Sequence, residues 1–468
     1  MIGWTCESPN TLIAMGVLKI MMILLAVSMV PTDALAQEPS IYRFALLRQN
    51  DSVPESKDLK GPSWYRSLKH PYLSEHDQLT LGGSWRGQTE SFINEQFSTN
   101  GLQDNIWLLH RLLFHAHLTL GDSFETFAEL GSSWANGKNN VSPVDKDALY
   151  VNQLFVSYKI ASHWAVEVGR RNLRLGSGRL VDIREGPNVR RSFDMAGLGY
   201  RTKAFEAQSF FAIPVTPRLG AFDNGHGTFD ETFSGMYTTA HFSQSTHLDA
   251  YVLYQKEDGA AYQSGMENEQ RVSLGLRHFG TYKGLTYNNE AVYQLGLFGN
   301  QDILAWTLSL QIEGQVTVLG KEFVLGIKTE AISGDRNGSD GQLNTFDALY
   351  PRGAYFGRVA RFGPSNLIDV HPYVNTRFNN VSLEMDYAAF WRYSLEDGVY
   401  GAAMTLDYPS LNNRRSIAGQ MGVIAGYRFN HAIGVELEGN VIFPGPFLQE
   451  NDMDDILCHL VLTTEVKF

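Results

Sequence analysis

Residues 168 to 201 hold Arg170, Arg171, Arg174, Arg179, Arg184, Arg190, Arg191 and Arg201 against only Asp182, Glu185 and Asp194. That balance reverses the sign of a chain whose net charge is −12. Arginine keeps its charge at any physiological pH and its planar fork donates two parallel hydrogen bonds, so such a cluster suits carboxylates and phosphates. Folded into a pore, the segment would form an anion-selective constriction. Left outside, it would meet the phosphates of lipopolysaccharide. The run Gly334-Asp335-Arg336-Asn337-Gly338-Ser339-Asp340-Gly341 has the outline of a calcium loop, but Phe346 stands where a bidentate Glu is needed. A hydrogen-bonded turn is expected there, with no metal and no cofactor. Hydrolysis, as by an outer-membrane lipase, would need a nucleophile and base on adjacent strands, and His115 and His117 share a face. No motif supports them, and no catalytic residue is assigned.

The elements that would position these arginines show a period of two. Val381, Leu383, Met385, Tyr387, Ala389, Trp391 and Tyr393 alternate with Ser382, Glu384, Asp386, Ala388, Phe390 and Arg392, an apolar face against a mostly polar one. The same parity puts Arg86, Arg111, Arg171, Arg201, Arg271, Arg277, Lys328 and Arg392 on the polar face, with Glu90, Glu167, Glu290, Glu384, Asp386, Glu436 and Glu438. Tight turns fall at Gly121-Asp122, Ala161-His163, Lys203-Ala204, Gln244-Thr246, Tyr282-Gly284, Leu319-Lys321, Asn379-Asn380 and Asn430-His431. The first six recur about every 40 residues, room for a strand, a longer connection and a returning strand. Eight turns with a first and a last strand predict an all-β, antiparallel transmembrane barrel of about 18 strands with short periplasmic turns and long extracellular loops. The long loops are expected at 172–192, 217–231, 334–366 and 395–414, and a minimal one at 299–301. Mean hydropathy is only −0.20, in keeping with strands that average a lipid-facing and a water-facing side.

Lys19 followed by the apolar run Ile20 to Val30 and by Ala34-Leu35-Ala36 reads as a secretory signal cleaved near Ala36/Gln37, with translation starting at Met1 or Met15. Removing it takes away Lys19, Glu7 and Asp33 and leaves a net charge of −11. Nothing in that balance points to nucleic acid. Cys458 is then the sole cysteine, so no intrachain disulfide can form. The expected organisation is a signal peptide at 1–36, a periplasmic N-terminal extension at 37–76 and the barrel at 77–468. The last strand ends on Phe468, a terminal aromatic of the kind read by the barrel-assembly machinery.

Two strings carry a resemblance. Leu173-Arg174-Leu175-Gly176-Ser177-Gly178-Arg179-Leu180-Val181-Asp182 with Gly186-Pro187-Asn188-Val189-Arg190-Arg191-Ser192-Phe193-Asp194 is one, and the segment from Gly334 to Gly353 with Gly363-Pro364-Ser365-Asn366 to Pro372 is the other. Together they resemble the alginate export family of outer-membrane barrels. The resemblance implies a monomeric 18-stranded barrel with an arginine-rich, electropositive pore for a polyuronate. It would map pore residues onto Arg174, Arg179, Arg190, Arg191 and Arg352, with Asp182, Asp194 and Asp335 holding them in place; Arg171, Arg184 and Arg201 join the candidates from the basic island. Expected partners are outer-membrane lipids and lipopolysaccharide, the anionic polysaccharide or small anions, and periplasmic export proteins. A passive pore has no intrinsic direction; the resemblance implies export of the polymer, and uptake of small anionic or sugar-like nutrients is the alternative that also fits the residues.

Overall fold

A computed structural model describes residues 43–51, 69–71, 73–74, 76–98 and 105–468. The expected signal peptide at 1–36 lies outside them. Eighteen antiparallel strands form the wall. The first nine are β1 (Asp77–Ile93), β2 (Asn105–Leu120), β3 (Phe124–Asn136), β4 (Asp147–Ala161), β5 (Trp164–Arg171), β6 (Phe193–Arg201), β7 (Phe205–Pro214), β8 (Glu231–His241) and β9 (Thr246–Tyr262). The rest are β10 (Gly265–Tyr282), β11 (Leu285–Phe298), β12 (Gln301–Val318), β13 (Lys321–Ile332), β14 (Leu367–Phe378), β15 (Val381–Arg392), β16 (Ser416–Arg428), β17 (Ile433–Pro444) and β18 (Leu457–Lys467). Each pairs with its sequence neighbour, and β18 returns to β1 through Ser84↔Lys467 to Ile93↔Cys458, which closes the sheet and leaves no edge. All eight expected turns join strand ends on one side. Closure at Lys283-Gly284 and Leu319-Gly320 uses positive φ at both residues, which matches the right-handed twist of the strands they connect.

The alternation sorts side chains as a membrane requires. Leu274, Leu276, Leu308, Leu310, Leu325 and Leu462 are exposed on the outside, while Arg271, Ser273, Ser309, Glu330 and Thr463 are buried inside. Several glycines exist to receive a tyrosine from the facing strand. A Cβ on Gly131, Gly275 or Gly326 would collide with the rings of Tyr150, Tyr251 and Tyr373, each its register partner.

The opposite side carries the unequal connections. Two of the three longest, between β5 and β6 (residues 172–192) and between β13 and β14 (residues 333–366), turn inward apart from an exposed tip at 336–341. They fold into the lumen, and their Val181, Ile183, Phe346, Val359 and Phe362 are almost fully buried. The two loops join to each other there: Asp182 N donates to Tyr350 O at 2.9 Å and Tyr350 N to Leu180 O at 2.8 Å. Tyr350 wedges between Phe193 and Phe233 at 5.1 and 5.0 Å, and Phe356 and Phe362 pack on Phe390 at 5.0 and 5.1 Å. This explains why Ala388 and Phe390 interrupt the polar face of β15. Near the extracellular end, inward positions meet apolar loops instead of water.

The N-terminal segment also enters the barrel. Arg48 donates to Gly83 O at 2.7 Å and to Phe468 O at 3.3 Å, Gln153 donates to Gln49 at 3.3 Å, and Lys69 and His70 are buried. Arg48, Gln49, Lys69 and His70 thus pack inside the barrel at its short-turn end.

Candidate functional site

Register creates an electrostatic problem that the inward loops resolve. In the β1–β2 ladder Arg86 lies directly opposite Arg111, and in the β13–β14 ladder Glu330 lies opposite Asp369. Like charges facing each other across a ladder are destabilising, the more so when buried. The loop at 172–192 brings the missing charge to each. Glu185 accepts from Arg111 in a very short contact, from Arg190 Nε at 2.5 Å, and lies 3.7 Å from Arg86. Arg86 also donates to the carbonyls of Glu185 and Pro187 at 2.7 and 2.9 Å. On another part of the wall, Arg179 bridges Glu330 at 3.1 Å and Glu290 at 3.2 Å. The loop is keyed in place by two charges of opposite sign.

Uncharged contacts fix it further. The Asn188 amide donates to three carbonyls, those of His110, Trp134 and Asp145, at 3.0 to 3.1 Å. In the other loop Arg358 reaches Glu436 at 3.0 Å and Glu438 at 3.3 Å, while Arg271, paired with Glu269, donates to Thr345 O at 3.2 Å. The Asn366 amide serves the carbonyls of Ser394, Asp397 and Gly398.

Around Glu185 the charges do not balance. Arg86, Arg111 and Arg190 are at most 5% exposed, and one carboxylate serves all three. Arg86 Nε, Arg111 Nε and Nη1, and Arg190 Nη1 are buried with no hydrogen-bond partner among the described residues. Glu185 itself keeps 33% side-chain exposure, with both carboxylate oxygens bonded to arginines. The three guanidinium groups hold Glu185 well below the usual carboxylate range, against its burial. The cage thus holds one carboxylate among three guanidinium groups that keep unbonded N–H donors.

The remaining candidates are distributed as follows. Arg191 is stacked 5.0 Å over Tyr350, and Arg352 lies 5.4 Å over Tyr355 and donates to its carbonyl at 3.2 Å. Arg184 sits at positive φ and donates to Val189 O at 3.3 Å; burial and the nearby Arg191 push its guanidinium down to about 9, still protonated at neutral pH. None of these three forms an ion pair among the described residues. Arg174 is 3.5 Å from Asp182, and Arg171 is paired with Glu167. Arg201 lies at the short-turn rim, 80% exposed, with Glu206. The expected carboxylate partners differ from those observed. Asp182 does face Arg174, but Asp194 takes Arg170 in a bidentate pair at 2.8 and 2.9 Å, and Asp335 caps its own turn through Asn337 N. Arg174 and Arg190 find their partners, Asp182 and Glu185, within the loop, whereas Arg179 takes Glu290 and Glu330 from the wall.

Sequence reasoning passed over Arg86, Arg111 and Glu185 as site residues. The register pairing of two arginines was the signal, and it becomes visible only once the strands are aligned. Below the loops, a cavity of about 780 Å³ opens toward the short-turn side and reaches Arg171, Arg277, Gly176 and Gln49. His115 lies beside Glu129, 5.3 Å over the Phe127 ring, and His117 bonds Glu125 at 2.9 Å, so both are parts of the inner wall.

No helix among the described residues is long and apolar enough to cross a membrane, and the wall crosses by strands. A family model described as alginate export matches residues 77–456. A search of curated proteins returns no match. Among solved structures, Acinetobacter baumannii OccAB4 is similar at a TM-score of 0.55 and 12% identity, covering 85% of this chain and 99% of that one. Pseudomonas aeruginosa OccK11 (OpdR) matches at 0.53 and 11%, covering 84% and 96%. The outer membrane protein opdK from Pseudomonas aeruginosa matches at 0.53 and 11%, covering 83% and 99%. At these identities the likeness is one of fold, that of bacterial outer-membrane barrels.

Proposed function

The chain belongs to the alginate export family and is an outer-membrane channel, and on that premise we propose that it passes an anionic polysaccharide, a polyuronate, outward through an arginine-rich pore. One observation carries this reading: three buried arginines share the single carboxylate of Glu185 and keep unused N–H donors. Glu185 presents the group that every residue of a polyuronate also presents. A uronate entering from the vestibule competes for the same donors, and Arg184, Arg191 and Arg352 extend the positive field along the two loops. With the loops docked, the lumen above the vestibule is filled, so passage requires them to move.

Uptake of small anions by the same cage is the second reading, favoured by a vestibule whose volume is that of a small-ligand site. Single-channel recording of the refolded protein in a planar bilayer separates the two. The polymer reading expects anion preference and block by polyuronate at concentrations where the monomeric uronate has no effect, with both weakened in Arg179→Gln, Arg190→Gln and Arg191→Gln. Cation preference unaltered by those changes refutes the electropositive filter, and equal block by monomer and polymer favours uptake.

A further inference from the structure

The outward face at the extracellular rim carries a basic and aromatic group that the channel does not use. Trp306 on β12 and Tyr393, just beyond β15, share the parity of the lipid-facing Leu308 and Tyr387, and their rings meet edge to face at 5.4 Å. The guanidinium of Arg336 lies 5.4 Å over the Tyr393 ring and bonds its hydroxyl. Arg415 donates to the carbonyls of Arg392 and Tyr393 at 2.7 and 2.6 Å. Both arginines are exposed, and neither is paired with a carboxylate among the described residues. Arg414 beside them is occupied by Glu450 at 2.6 Å.

We propose that Arg336 and Arg415, braced on Tyr393 and Trp306, bind a phosphate on the lipid A head of lipopolysaccharide. The argument is one of position and charge. The patch continues the lipid-facing band upward on the side of the long loops, which is the outer leaflet, where a phosphorylated sugar head lies at the level of interfacial aromatics. Each arginine spends some N–H groups on Tyr393 and keeps others for an anion, so the cost of ordering the long side chains is met before the lipid arrives. The short-turn rim offers a natural control in Lys283, which lies 5.1 Å over Tyr282.

The test is binding of purified lipopolysaccharide to the full chain in detergent, with folding checked by heat-modifiable gel migration. The Arg336→Ala/Arg415→Ala double variant is expected to bind roughly ten- to thirtyfold more weakly, while Lys283→Gln binds as the parent does. Lipopolysaccharide stripped of its lipid A phosphates should lose affinity for the parent and show no difference between parent and double variant. Equal binding of the stripped and intact forms, undiminished binding by the folded double variant, or phosphatidylglycerol bound as tightly as lipopolysaccharide would each overturn the proposal.

Discussion

The extracellular half of this barrel and its periplasmic half share one wall and differ in what fills it. Above, the loop at 333–366 brings Tyr350, Phe356 and Phe362 against inward-facing Phe233 and Phe390, the loop at 172–192 buries Val181 and Ile183 beside it, and the lumen is packed as a protein interior. Below, the wall positions are polar, the lumen opens into a vestibule of about 780 Å³, and the intruding chain is the short segment around Arg48 and Gln49. Packing and charge therefore divide the work. Aromatic burial makes the upper loops dock, and the complementary charges of Glu185 and Arg179 decide where. On the proposed reading, an anion that competes for those charges weakens one of the two holds on the loops.

The strongest way to break the comparison is to replace residues 335–363 with a short Gly-Ser linker. The upper half should then resemble the lower, and single-channel conductance should rise by roughly an order of magnitude. An unchanged conductance would mean that the loop does not limit passage. Glu185→Gln comes next. It leaves Arg86, Arg111 and Arg190 without their counter-charge, which costs about 3–5 kcal/mol for a broken buried pair. Loop amides at 180–190 should exchange hydrogen faster, and millimolar uronate should restore protection if the cage accepts a foreign carboxylate.

Acidity offers a third handle. Burial pushes the Asp347 carboxyl in the upper loop up to about 6, in spite of Arg271 nearby, whereas the ordinary value is 3.8. The docked loop holds this proton over a range in which a freed loop has released it. Docking is therefore tightest below ~4, loosens as pH rises to about 6 and is flat above, an effect of at most ~3 kcal/mol. Open probability should rise across that window in the parent and rise less steeply in Asp347→Asn. Asn366→Ala removes the donor to three buried carbonyls and should cost ~1–3 kcal/mol of loop stability without altering ion selectivity. At the bottom of the scale, Arg201→Gln at the exposed periplasmic rim should change stability by less than ~1 kcal/mol. A loss of anion preference there would move the filter to the wrong half.

The wall was legible in the sequence, though its registers were not. The eight turns, the parity of β15 and the unequal loops all follow from local rules, because turn residues and a period of two act within a few positions. The basic island was legible too, yet its pairing was not. Asp194 lies three residues from Arg191 but binds Arg170, and Arg179 finds Glu330 some 150 positions away. Apolar residues at inward positions, such as Phe233, Val292 and Phe390, were the available sign that the lumen is filled.

The sequence alone thus determined that there are arginines in one long loop, a barrel to carry it and a pattern that says which side of each strand is wet. Only the tertiary structure decided that Arg86 stands opposite Arg111 and that Glu185 comes between them. The reason is that charge pairing acts through space over a few ångströms, and closure of the sheet is what sets those distances.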